Sequence, residues 1–167
     1  LPKAEAVARR IADINPNAVL HPLQELYNAE NRSRFFPEGC RYDYIVDAID
    51  LVSCKLDLAE TARRLKIPLM MALGTGNKLD PSQLRLADIS ETYGCPLARV
   101  MRKELRNRGI CRQPVVFSPE QPAPTTQRET PPPGRRSVPA SNPWVPAVAG
   151  LLIGSKVVRD LIANKGV

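Results

Sequence analysis

The stretch that most constrains this chain runs from Tyr42 to Leu73, where an apolar run, a helical run and a second apolar run follow one another. Tyr42 to Ile49 (YDYIVDAI) is rich in apolar and β-branched residues and stops at Asp50, which predicts a central strand buried on both faces of a parallel sheet. Val52 to Leu65 carries Leu56, Ala59, Ala62 and Leu65 at helical intervals. Lys66-Ile67-Pro68 then leads into the apolar run Leu69 to Leu73. Strand, helix and strand in that order require a crossover connection and hence parallel pairing. The expected class is therefore α/β, with a mostly parallel sheet flanked by helices.

The flanks extend this pattern. Ala6, Val7, Ile11 and Ile14 recur at helical spacing between Pro2 and Pro16, predicting a first helix. Asn17 to Tyr27, interrupted by Pro22, reads as a short broken strand ending near Leu26. After Leu73 comes the turn-rich GTGNKLDP, then a strand over Gln83 to Ile89 and a helix over Pro96 to Asn107. On that helix Leu97, Val100, Met101 and Leu105 form the expected apolar stripe. From Pro114 to Pro146 the composition changes, with 10 of the 17 prolines. A surface-crossing or partly disordered connection is expected there, with Val115 to Phe117 as a short strand at its start. Pro146 to Asn164 reads as a final helix, whose apolar stretch is interrupted at Lys156 and falls short of the roughly 20 residues that span a bilayer. The expected division is 1–113, an α/β domain; 114–143, the proline-rich crossover; and 144–167, a helix packing on the same domain.

Charge and cysteine content narrow the function classes. The 167 residues carry a net charge of +7, which favours a polyanionic partner. Much of the excess lies on the Pro96–Asn107 helix and just after it, where Arg99, Arg102, Lys103, Arg106, Arg108 and Arg112 face Glu104 alone. Such a run is more often a solvated face than a binding surface. Cys40, Cys54, Cys95 and Cys111 form no CxxC pair, and His21 is the sole histidine, so no zinc site is expected. Reduced thiols, no leader peptide, no membrane insertion and a cytoplasmic setting are the corresponding expectations.

Open α/β sheets place ligands beyond the C-terminal ends of their strands, which singles out Asp47 and Asp50. A carboxylate there can hold Mg²⁺, a hard cation that takes oxygen ligands. Equally, Asp50 or Ser53 can cap the following helix. Lys3, beside a helix start, offers a countercharge to phosphate. GTGNK has neither the GxxxxGK[ST] spacing nor the GxGxxG order, so Gly74 and Gly76 read as turn glycines. Cys95 precedes Pro96 at a helix N-terminus, where a thiol pKa falls, although a lone histidine distant in sequence argues against a catalytic cysteine.

The segment from VDAIDLVSCKLDLAETARRLKIPLMMALGTGNKLDPSQLRLADISETYGCPLARVMRKELRNRGI resembles the ThiF/MoeB/HesA family of ubiquitin-activating-like, ATP-dependent adenylating enzymes. KAEAVARRIADINP, PVVFSPE and NPWVPAVAGLLIGSKVVRDLI extend the resemblance from Pro2 to Ile162, apart from the proline-rich segment. Within the family it is most similar to the tRNA threonylcarbamoyladenosine dehydratases. The resemblance implies the C-terminal part of a Rossmann-like ThiF/MoeB-type adenylating domain. It also implies ATP and Mg²⁺ as cofactors, tRNA as substrate and a homodimer. Lys3 matches the family lysine that contacts ATP phosphate, and Asp50 matches the catalytic aspartate that serves Mg²⁺ and ATP. Lys55 falls on a basic position that follows it and is implied to bind ATP and Mg²⁺ as well, with a minor role.

The implied chemistry is ATP-dependent adenylation of a carboxylate, followed in this subgroup by cyclising dehydration of threonylcarbamoyladenosine. Arg99, Arg102, Lys103 and Arg106 are the candidate tRNA contacts. The family's glycine-rich nucleotide loop, ribose-binding acid and catalytic arginine all precede the position of Lys3. The expectation is thus a fragment, inactive by itself. One alternative is a sulfur-carrier-protein adenylyltransferase of the MoeB or ThiF type, working with a cysteine desulfurase system. Another is a non-catalytic interaction module.

Overall fold

The computed structural model describes residues 1–124, 130 and 140–164. Most of the proline-rich segment, including Pro131 to Pro133, lies outside the described residues. Two compact units divide at Glu38 and Gly39.

The first unit opens with α1, Lys3–Ile14, entered through Pro2, whose missing N–H costs nothing at a helix start. Asn15 ends it, and a four-residue helix, α2, follows at Arg32–Phe35. The strand expected over Asn17 to Leu26 does not form. Pro16 and Pro22 have no N–H to give a ladder, and local bonds replace it in the segment that follows. The Asn28 carboxamide oxygen accepts from Glu30 and Asn31 N–H at 2.9 and 3.1 Å, and Asn31 Nδ2 donates to Leu26 O at 2.8 Å. Tyr27 is buried edge-on against Phe35 and Phe36, with ring centroids 5.2 and 6.1 Å away.

The second unit contains β1 (Ile45–Asp47), α3 (Val52–Leu65), β2 (Leu69–Ala72), β3 (Arg85–Asp88), α4 (Pro96–Asn107), β4 (Pro114–Phe117) and α5 (Trp144–Asn164). They build a four-stranded sheet in the order β1-β2-β4-β3, with β1, β2 and β4 parallel and β3 antiparallel to β4. This is the expected mostly parallel α/β arrangement. Two expectations are corrected. β1 is shorter than Tyr42–Ile49 and stands at an edge of the sheet, with Val46 49% exposed, so it is neither central nor buried on both faces. Conversely, the short strand expected over Val115 to Phe117 does form, as β4, but it is an interior strand with Val115 and Val116 wholly buried rather than part of a surface crossing.

The alternation of β side chains divides the core into two layers. Met70 of β2 and Val116 of β4 pack against Val145, Ala149 and Ile153 of α5. Their opposite-facing neighbours Met71, Val115 and Phe117 are just as buried, so both faces of the sheet are covered. The α4 stripe is Ala98, Met101 and Leu105, fully buried at helical spacing, whereas Val100 turns outward. Gly94 sets the approach to α4: its φ is +70°, and a Cβ there would lie 2.4 Å from Pro119 O. A glycine is needed at that position both for conformation and for room.

Candidate functional site

β1 and β2 run parallel, so their C-terminal ends open on the same side, followed by Ala48–Asp50 and Leu73–Lys78. These two segments form opposing lips of a cleft of about 540 Å³. Cys95, Pro96 and Leu97 at the start of α4, together with Gly150 and Ile153 of α5, complete the wall. This is the end of a parallel sheet at which α/β folds hold ligands.

Asp50 lies exposed on the first lip. The capping role weighed for Asp50 and Ser53 does not apply, because the N-cap of α3 is Leu51, which makes no side-chain cap bond. Asp47 points inward and is wholly buried. Its Oδ1 accepts the Ile49 N–H at 2.9 Å, and its Oδ2 faces Lys55 Nζ at 2.9 Å. Lys55 is equally buried and also donates to Ile49 O at 3.0 Å and Ala72 O at 2.7 Å. Expected at the ATP and Mg²⁺ site, Lys55 is instead committed to the protein interior, where its ammonium donates to two backbone carbonyls and is ion-paired with Asp47. Burial lowers its pKa, against the opposing attraction of Asp47 and Asp50.

A second buried lysine, Lys78, carries no motif signal in the sequence. Its Nζ donates to Ser118 O and Glu120 O at 2.7 Å each, and the Glu120 carboxylate accepts from Leu79 and Asp80 N–H at 2.8 and 3.1 Å. Burial lowers the Lys78 pKa, with Cys95 and Glu120 acting against it. Its neighbour Asn77 takes a left-handed φ of 57° and bonds two points of the proline-rich segment, Ala123 and Ala140. Asn77 O accepts from Ala123 N–H, while Asn77 N–H and Oδ1 bond the Ala140 peptide, all at 2.7 Å. Gly74 and Gly76 line the cleft without a positive φ, and Gly76 stands in a turn as expected. The available signal was position, because GTGNK directly follows the C-terminal end of a buried parallel strand.

Lys3 begins α1 in the first unit and is exposed. Arg99, Lys103 and Arg106 are exposed on α4. Arg102 departs from that set: its NH1 bonds Thr92 Oγ1 at 2.7 Å and Thr92 O, which ties the side chain to its own unit. Cys95 is buried at the α4 N-cap in the cleft wall, and His21 is exposed.

The site fits Mg²⁺ in one specific manner. No group of three or more His, Cys, Asp or Glu side chains suited to a metal occurs among the described residues. A cage made wholly of protein ligands is thus not offered there, whereas Mg²⁺ is commonly held by one or two carboxylates plus substrate phosphates. An exposed Asp50 at a cleft mouth suits that mode. No described helix is long and apolar enough to cross a membrane.

Comparison with known proteins agrees with the fold. The pattern of the ThiF family matches residues 1–164. A tRNA threonylcarbamoyladenosine dehydratase of Bacillus subtilis is 37% identical over 172 residues, covering 98% of this chain and 67% of that protein. The Escherichia coli protein of the same name is 36% identical over 107 residues, covering 64% of this chain and 39% of that one. Among solved structures, the E. coli tRNA N6-threonylcarbamoyladenosine dehydratase in complex with AMP superposes with a TM-score of 0.81 at 29% identity. Its complex with ATP gives 0.80, and each covers 98% of this chain and 65% of the other. The chain spans about two thirds of the longest-matched relatives.

Proposed function

The chain belongs to the ThiF family, and from that premise we propose that its protein is an ATP-dependent tRNA threonylcarbamoyladenosine dehydratase. The single observation that carries this reading is the cleft at the β1 and β2 ends, with Asp50 on its lip, in a fold similar to a dehydratase solved with ATP. In the proposed reaction, a carboxylate oxygen of the threonylcarbamoyl group attacks the α-phosphorus of ATP, and pyrophosphate leaves as the α–β bridge breaks. An internal nucleophile then closes on the acyl carbon and AMP departs, so the nucleoside loses one water overall. Mg²⁺ bound with ATP neutralises phosphate charge as it redistributes.

Asp50 would hold that cation beside the phosphates, and exposed Lys3 is the candidate phosphate countercharge. The Gly74–Asn77 wall limits the width of the cleft. Arg99, Lys103 and Arg106 on α4 attract tRNA phosphates without reading sequence. A homodimer and a cytoplasmic setting complete the reading. The matching relatives are dehydratases, which does not favour a sulfur-carrier adenylyltransferase.

The test is to incubate the intact protein with ATP, Mg²⁺ and tRNA carrying threonylcarbamoyladenosine, and to weigh the nucleoside. A product one water lighter, formed with pyrophosphate and AMP and lost in Asp50→Asn, is expected. An unchanged nucleoside beside an adenylated small-protein C-terminus would overturn the proposal in favour of the sulfur-carrier reading.

A further inference from the structure

At the end of β1 two carboxylates three residues apart have opposite environments. Asp47 is wholly buried with Lys55, and Asp50 is exposed on the lip of the cleft. The pair clamps the chain between them. Asp47 accepts from the Ile49 N–H, and Lys55 donates to the Ile49 carbonyl, so Ile49 is held through both of its backbone polar groups. The Ile49 carbonyl shares a planar peptide unit with the Asp50 N–H, so fixing that oxygen orients the backbone from which Asp50 projects. The same ammonium also binds Ala72 O, at the end of β2 on the opposing lip.

Stability alone is a poor reason for such an arrangement. Replacing a buried ion pair with uncharged groups of similar shape is often neutral or stabilising, because desolvation offsets the attraction. What uncharged side chains would not supply is a single donor that bonds the carbonyls of two strand ends while its charge is balanced by Asp47.

We propose that Asp47 and Lys55 are positioning residues: they hold the Ile49–Asp50 peptide and the Ala72 carbonyl at fixed separation, setting the Asp50 carboxylate against the Gly74–Gly76 wall. The proposal rests on the reading of Asp50 as the carboxylate of the nucleotide site.

The experiment combines Asp47→Asn with Lys55→Met in the intact protein, removing both charges while keeping an oxygen for the Ile49 amide. Thermal unfolding is expected at a lower temperature than in the parent, because Ile49 O and Ala72 O lose their donor, so exchange at the strand ends is read relative to the Met101 and Leu105 amides of α4. Amide hydrogen exchange should accelerate about tenfold at Ile49 and at Leu73, whose N–H bonds Val116 O across the strand ends. Affinity for ATP in the presence of Mg²⁺ should fall about 10-fold, the low end for losing groups that support a metal ligand. Parental exchange at both amides would overturn the positioning role, whatever happens to ATP. Failure of the parent itself to bind ATP with Mg²⁺ would instead overturn the reading of Asp50, and exchange would still report on the pair. Should the double variant not fold, Lys55→Arg replaces it: a planar fork does not direct donors as a compact ammonium does. Faster exchange at Ile49 and Leu73 in that variant supports the proposal, and parental exchange overturns it.

Discussion

The buried lysines at the strand ends and the α4 surface use positive charge in opposite ways. Lys55 and Lys78 are 0% and 2% exposed and direct their ammonium groups at carbonyls that end strands or turn loops. Arg99, Lys103 and Arg106 stand in solvent. In the first region an ammonium acts as a fixed hydrogen-bonding node, expensive to desolvate and more expensive to remove. In the second the charge is screened and contributes little to folding, which leaves it available to a polyanion. Residue type alone does not distinguish the two; burial does.

The largest effect should come from Lys78→Met, which leaves the Ser118 and Glu120 carbonyls without their donor. A loss of about 2–4 kcal/mol is expected from two buried acceptors, measured by denaturant unfolding. A loss under about 0.5 kcal/mol would break the contrast by showing that this lysine is as dispensable as a surface one.

Between the extremes lies the half-buried pair at the other end of the strands, where Tyr44 OH donates to Asp160 at 2.8 Å. Burial, reinforced by the Asp160 carboxylate, raises the Tyr44 pKa from 10.0 to about 12. The folded value lies above the unfolded one, so this contribution is fully present below pH 10 and is lost as pH rises through about 12. Absorbance titration should show one late-ionising tyrosine that disappears in Tyr44→Phe. A normal titration of all four tyrosines would show that the pair adds nothing between the two extremes.

The smallest effect on folding should follow reversal of Arg99, Lys103 and Arg106 to Glu, within about 0.5 kcal/mol per site. In the same variant tRNA affinity should fall, and its salt dependence should flatten by about one unit for each phosphate that is no longer neutralised. Unchanged tRNA binding at low salt would take α4 out of the interface and sharpen the comparison to burial alone.

Much of the secondary structure was legible because it depends on local pattern. The apolar spacing of Leu56, Ala59 and Ala62 sufficed for α3, and that of Met101 and Leu105 for α4. Asp50 was legible for a similar reason, since the chain leaves a strand just before it and ligands collect at such ends. Lys55 is ambiguous in sequence: a lysine after that aspartate looks the same whether its ammonium meets phosphate or the carbonyls of Ile49 and Ala72. Lys78 and Asn77 give no local signal because their partners lie at least 40 residues away, at Ser118, Glu120, Ala123 and Ala140.

By itself, then, the sequence determined the α/β class, the parallel strand–helix–strand unit and the place of Asp50, since each follows from periodicity and chain direction over short distances. The tertiary structure decided that β1 is an edge, that Pro114–Phe117 is an interior strand, and which basic side chains are spent on the protein. Strand order depends on pairing between distant segments, and the state of a charge depends on whether folding removes it from water.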